Sequence, residues 1–300
     1  MIAVVTQPDR PAGRGHQLTP SAVKAAAQAR GLRVVTPVAL RAFADEARSY
    51  GADAFVVASY GRILPQVVLE TVPIAFNLHP SLLPLYRGAT PLQSAIRDGR
   101  DETGVSIIAM NAGMDTGDVL LRERTPLGVD ETYGELHDRL AVRAAEMLVE
   151  GLEQYAHGML NPLPQDRIAE LEGLSPGEIA ATTTHPLTKD DLRIDWTTGR
   201  RHAIDTVRAY APRPLARTEL AGTGALKIVA ARVDDEHAAP DGLGPGPFVL
   251  DGKHPFLGAL CGDGGVVALE RVVAPGRPAT DGEAFARSWY DRAARQAGAP

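Results

Sequence analysis

Phe76–Gln93 reads FNLHPSLLPLYRGATPLQ, and its surroundings make it the decisive unit of the fold. The apolar run Pro73–Leu78 predicts a strand. Pro80 and Pro84 stiffen the loop that follows, and Pro91–Asp98 predicts a helix. Towards the N-terminus the same alternation repeats. Strands are expected at Ile2–Val5, Arg33–Thr36 and Ala54–Ala58, with helices at Ser21–Arg30, Leu40–Tyr50 and Pro65–Glu70. Ser21 and Gly31 flank the first of these helices as natural caps. Towards the C-terminus, Val105–Met110 and Val119–Arg122 read as two more strands. A βαβα order of this kind predicts an α/β fold with a doubly wound, mostly parallel, Rossmann-like sheet covered by helices on both faces.

Thr132–Gly158 carries the strongest helical period, with Leu136, Leu140, Ala144, Met147, Leu148 and Leu152 at three- and four-residue spacing. It is expected to close a first domain at residues 1–160. Residues 161–194 are broken by Pro162, Pro164, Pro176 and Pro186 and read as a linker. Beyond that, residues 195–300 show a short helix near His202–Tyr210. Strand-like runs follow at Leu226–Ala230, Phe248–Leu250 and Val266–Val273, separated by Gly- and Pro-rich turns. That spacing predicts a small C-terminal β-barrel, OB-like in character.

Composition sets the class. The 300 residues are 44% hydrophobic and 23% charged, which suits a globular protein with a substantial core. No run approaches a membrane span, and no signal peptide is visible, so a soluble cytoplasmic chain is expected. The lone Cys261 offers neither a disulfide nor metal-ligand spacing. A net charge of −6 excludes nucleic-acid binding driven by bulk charge alone but not by a local basic contact.

The chemistry gathers at the ends of two expected strands. Asn77 and His79 lie two residues apart and face the same side. Asn111–Gly117 (NAGMDTG) places Asp115 at the same sheet edge, where ligands bind in open parallel sheets. A carboxamide, an imidazole and a carboxylate together suit acyl transfer: a donor for an oxyanion, a proton shuttle and a group that orients it. No G-x-S-x-G accompanies them, so direct attack by an amine fits better than a covalent acyl-enzyme. The residues alone also admit a plainer reading, with Asn77 capping a loop, His79 in the core and Asp115 in a turn.

N-L-H-P-S-L-L-P followed by M-D-T-G-D resembles the folate-dependent formyltransferase family. The resemblance implies that Asn77, His79 and Asp115 form the catalytic trio and that 10-formyltetrahydrofolate is the donor, with no metal. It also implies that an acceptor amine attacks the formyl carbon, with Asn77 and protonated His79 stabilising the oxyanion and Asp115 holding His79. The turn Tyr60, Gly61, Arg62, Ile63 and Leu64 looks like the family's pterin-side loop, and Ser81, Leu82, Leu83 and Pro84 are the further donor contacts implied.

Family members differ in their acceptor. Thr6–Ser21 (TQPDRPAGRGHQLTPS) is too rich in Pro and Gly for helix or strand and is expected to be an irregular loop. It is similar to the loop by which members acting on initiator methionyl-tRNA enter the acceptor stem, and that similarity makes Arg10 and Arg14 the tRNA-binding residues. KDDLRIDW at Lys189–Trp196 and the β-rich tail resemble the second domain of those members. The resemblance therefore implies an enzyme that forms N-formylmethionyl-tRNA for translation initiation, and a monomer is expected. The alternatives are a formyltransferase for a nucleotide-linked amino sugar, or an inactive truncated homologue. His16 and Gln17 replace a frequent basic pair, and the tail is nearly neutral. Relatives also open with a further strand and helix, so a start site upstream of Met1 is expected.

Overall fold

The computed structural model describes residues 1–12 and 17–296, and the chain divides into two compact units. The first comprises Met1–His79, Val105–Glu123 and Ala144–Pro176. The second comprises Pro80–Gly104, Arg124–Arg143 and Gly177–Pro300.

In the first unit the α/β expectation holds, with a mixed sheet. Strand Ala54–Val57 pairs in parallel with Ile74–His79, which pairs antiparallel with Glu102–Ala109; Val119–Pro126 completes the four-stranded order. A separate parallel pair joins Val4–Val5 to Val34–Val35. Helices Ala22–Ala29, Leu40–Ser49 and Gln66–Leu69 lie between the strands, within a residue or two of their expected bounds. The Ser21 hydroxyl accepts from the Lys24 backbone N–H at 3.0 Å, the expected N-cap. Phe43, Ala44, Ala47 and Val68 form a core cluster with Val5, Val35 and Phe55 packed against it. Phe76 is fully buried and meets Tyr155 edge-on at 5.8 Å between centroids.

Two expectations are corrected here. The Thr6–Ser21 stretch is not wholly irregular: Arg10–Ala12 pairs antiparallel with Gln17–Thr19 as a short hairpin. A two-stranded pairing needs so few backbone hydrogen bonds that the Pro and Gly positions do not prevent it. The stretch read as a linker contains helices Gln165–Glu172 and Pro176–Ala181. Pro164 and Pro176 sit at the starts of these helices, where a missing N–H costs nothing, and so do not break them.

In the second unit an antiparallel sheet runs in the order Gly246–Leu250, Phe256–Leu260, Val266–Val273, Gly224–Asp234, Ala216–Leu220, with Ala279–Asp281 also on Val266–Val273. Register shifts near Ala230 bend the long strand, curling the sheet as a small barrel requires. Leu226, Ile228, Val267, Leu269 and Val272 are buried inside it. Helix Arg200–Tyr210 buries eight consecutive residues from Ala203, among them the pair Asp205 and Arg208. Arg208 Nε donates to Asp205 at 2.7 Å, and its Nη1 donates to the carbonyls of Gly128 and Glu131 at 3.1 Å each. The strands Ala216–Leu220, Phe256–Leu260 and Ala279–Asp281 and the helix Gly282–Gln296 escape a reading of hydrophobic runs. Among the described residues no helix is long and apolar enough to cross a membrane.

Candidate active site

Asn77 and His79 occupy the C-terminal end of strand Ile74–His79, opposite Ile108 and Ser106 of the neighbouring strand. Asp115 lies beyond the end of that neighbour, 38 residues from Asn77. The structure brings all three together within the first unit. Asn77 Nδ2 donates to Asp115 Oδ1 at 3.1 Å, and His79 Nδ1 lies 3.5 Å from Asp115 Oδ2. One carboxylate therefore spans an amide and an imidazole, one oxygen to each. His79 is 4% exposed and the Asp115 side chain 16%, so the pair is shielded from bulk water on most sides. Coulomb interactions are screened less in such surroundings.

The loop that presents Asp115 is tightly determined. Asn111 Oδ1 accepts from Gly113 N at 3.0 Å and Thr116 Oγ1 at 2.9 Å, closing an Asx turn. Asp115 itself sits at φ +54°, a left-handed conformation that a non-glycine residue adopts at a cost. Gly117 follows where no side chain fits: a Cβ there would lie 1.7 Å from the Ala109 carbonyl oxygen. Gln165 is a functional candidate that the sequence does not single out. Its Nε2 donates to the carbonyls of Asp115 and Gly117, both at 2.8 Å. No sequence signal separates this glutamine from others, because its partners are main-chain atoms with no residue type.

The candidate donor contacts divide between the two units. In the first, Gln7 Nε2 donates to the Tyr60 carbonyl at 2.5 Å, and Gly61 takes φ +71°. Arg62 folds back onto the carbonyls of Pro37 and Val38, Leu64 packs against the cluster of Leu69, Val72 and Ala75, and Ile63 is 88% exposed. The Tyr60 hydroxyl is buried without a hydrogen-bond partner among the described residues. In the second unit Ser81, Leu82, Leu83 and Pro84 are all buried, and Ser81 Oγ donates to the Leu85 carbonyl at 2.7 Å. Of the two candidate tRNA contacts, Arg10 lies on the hairpin and donates to Gln7 Oε1. Arg14 lies outside the described residues.

Residues 1–152 match the sequence family described as formyl transferase, and residues 186–289 match the formyl transferase C-terminal domain. The methionyl-tRNA formyltransferase of Stutzerimonas stutzeri is 40% identical over 279 residues, which is 92% of this chain and 83% of that protein. That of Anaeromyxobacter dehalogenans is 42% identical over 282 residues, 93% of this chain and 86% of that protein. Among solved structures, the N-formyltransferase from Helicobacter canadensis, in complex with folinic acid and dTDP-3-aminofucose, aligns with a TM-score of 0.61 at 15% identity. The alignment covers 88% of this chain and 86% of that one. HypX from Aquifex aeolicus, in complex with tetrahydrofolic acid, gives 0.60 at 19% identity, covering 86% of this chain and 43% of that one. At these identities the two structures speak for the fold alone.

Proposed function

The chain belongs to the formyl transferase family, and from that premise we propose that it transfers the formyl group of 10-formyltetrahydrofolate to the amino group of initiator methionyl-tRNA. The observation that carries the reaction class is the carboxylate of Asp115 placed between Asn77 and His79. The acceptor rests on the relatives that act on methionyl-tRNA, whose similarity extends across both matched regions.

In this reading the amine attacks the formyl carbon directly. Asn77 keeps one amide N–H on Asp115 and has a second to offer the oxyanion, which protonated His79 also stabilises. Asp115 orients the imidazole and assists removal of the amine's proton; the bond from the formyl carbon to the folate nitrogen then breaks, that nitrogen takes up a proton, and tetrahydrofolate leaves. The donor is a flat, partly apolar molecule, and the turn Tyr60–Leu64 offers it an exposed Ile63 in the same unit as the trio. Ser81–Pro84 belong to the loop after His79 and, with their side chains buried, would meet the donor through main-chain atoms. Arg10 and Arg14 would meet the acceptor stem, since guanidinium groups suit phosphates and base edges. We place residues 1–160 in the catalytic domain and residues 195–300 in a tRNA-binding domain of a cytoplasmic monomer.

Offering one donor to two acceptors tests the assignment. With 10-formyltetrahydrofolate present, methionyl-tRNA should be formylated with kcat/KM at least about 100-fold above that for a nucleotide-linked amino sugar, the scale expected when binding energy is designed for one partner. The reverse preference would move the assignment to the sugar. Turnover of neither would support an inactive homologue.

A further inference from the structure

We propose that Gln165 is a positioning residue for the transfer step: its side-chain amide fixes the main chain of Asp115 and thereby sets where the carboxylate meets Asn77 and His79. The inference rests on the functional reading above. Its structural basis lies entirely in the first unit.

The loop Asn111–Gly117 must hold a conformation it does not prefer. Asp115 stands at φ +54°, and such a residue persists only where its surroundings over-determine it. The Asx turn at Asn111 fixes the first half of the loop. The second half is fixed from outside. Both hydrogens of the Gln165 amide are used there, one on the carbonyl of Asp115 and one on that of Gly117, at 2.8 Å each. Gln165 is 4% exposed, so water is a poor substitute, and losing the amide leaves two carbonyls short of their donors.

Gln165 can act as a clamp because its own segment is held down. The backbones of Val119 and Leu163 exchange hydrogen bonds in both directions at 2.9 Å. Farther along, Arg122 makes a two-pronged ion pair with Glu172, at 2.5 and 2.9 Å. Between them Ile168 and Ala169 are buried. The helix Gln165–Glu172 is thus anchored at both ends to the strand that begins at Val119. Its first residue reaches back to the loop that presents the carboxylate.

A displacement of about 1 Å at such a group costs up to about 100-fold in rate. Two variants isolate the amide: Gln165→Met keeps the length and removes the donors, and Gln165→Glu sets an acceptor against two carbonyls. Rates are expressed per folate-binding site, counted by titration with 5-formyltetrahydrofolate, so that unfolded protein is not scored as slow protein. The expected result is a kcat lowered at least about 10-fold with KM for both substrates within about 2-fold of wild type, the pattern of a contact that matters only in the transition state. Combining Gln165→Met with Asp115→Asn should slow the enzyme no further than Asp115→Asn alone, because one acts through the other. Losses that multiply, or a kcat within about 3-fold of wild type, would overturn the proposal.

A second readout needs no turnover. The side-chain NMR resonances of His79 should move in Gln165→Met in the direction that Asp115→Asn moves them, and resonances left in place would overturn the proposal whatever the rates. A wild-type chain that transfers no formyl group would count against the functional reading, while the His79 resonances would still decide the positioning.

Discussion

Asp115 meets three demands at once: a left-handed backbone, one carboxylate oxygen for Asn77 and the other for His79. Asp115→Asn keeps the shape and removes the charge. The expected loss in kcat is about 100-fold or more, with KM values nearly unchanged, in the range for a group that assists proton transfer. A loss under about 5-fold would mean that Asp115 only shapes the loop. At this scale much was legible in the sequence. The two-residue period of a strand puts Asn77 and His79 on one side, and the polar ends of two strands point to one edge. Gln165 was not legible, because a contact with a carbonyl leaves no trace in the identity of the partner. Arg14, expected from the resemblance of its loop, lies outside the described residues.

Among the elements, glycines separate tight geometry from plain flexibility. Gly117→Ala would drive a Cβ to within 1.7 Å of the Ala109 carbonyl oxygen, so strand end and loop must part. Gly158, by contrast, takes a positive φ, +65°, and has no atom within 4 Å of a Cβ placed there. The expectation is that Gly158→Ala costs about 1 kcal/mol and leaves formyl transfer intact, whereas Gly117→Ala lowers kcat at least about 10-fold. Thermal melts and initial rates on the two variants check this, and equal behaviour would show that the Asp115 loop tolerates movement. The elements missed in the sequence were hidden for different physical reasons. Phe256–Leu260 (FLGAL) lacks alternation because Gly258 lies against the rings of Phe248 and Phe256. Ala216–Leu220 (ARTEL) does alternate, but it is brief and starts on small or polar side chains. The helix Gly282–Gln296 did carry a signal: Asp281 Oδ1 accepts from the N–H groups of Glu283 and Ala284, an N-cap that the composition of the tail obscured. Gly and Pro suggested loops at Thr6–Ser21 and at residues 161–194, yet neither prevents a two-stranded hairpin or a helix that starts at proline.

Over the whole chain, buried acids give stability an alkaline limit. Burial pushes Tyr86 up from 10.0 to about 12, against the opposing effect of its hydrogen bond from Arg100. Burial likewise pushes the Cys261 thiol up from 9.0 to about 11. Both groups hold protons more tightly folded than unfolded. Their contribution is therefore complete below the unfolded values and lost as pH rises through the folded ones. Melting temperature should fall across pH 9 to 12, and Tyr86→Phe should flatten the upper part of that fall. A melting temperature constant over this window would contradict the burial of these groups. The order of strands and helices, and hence the α/β class of the N-terminal half, was readable from hydrophobic period alone. The pairing directions of the sheet and the curl of the second unit depend on contacts between distant segments that period does not encode.

The most direct test of the account is a gel assay that resolves formylated from unformylated methionyl-tRNA, run with 10-formyltetrahydrofolate and either the wild-type chain or His79→Ala at matched folded concentration. The account predicts product with the wild type and a rate at least about 10-fold lower with the variant. Retention of more than about a tenth of the wild-type rate by His79→Ala would contradict the role assigned to the trio.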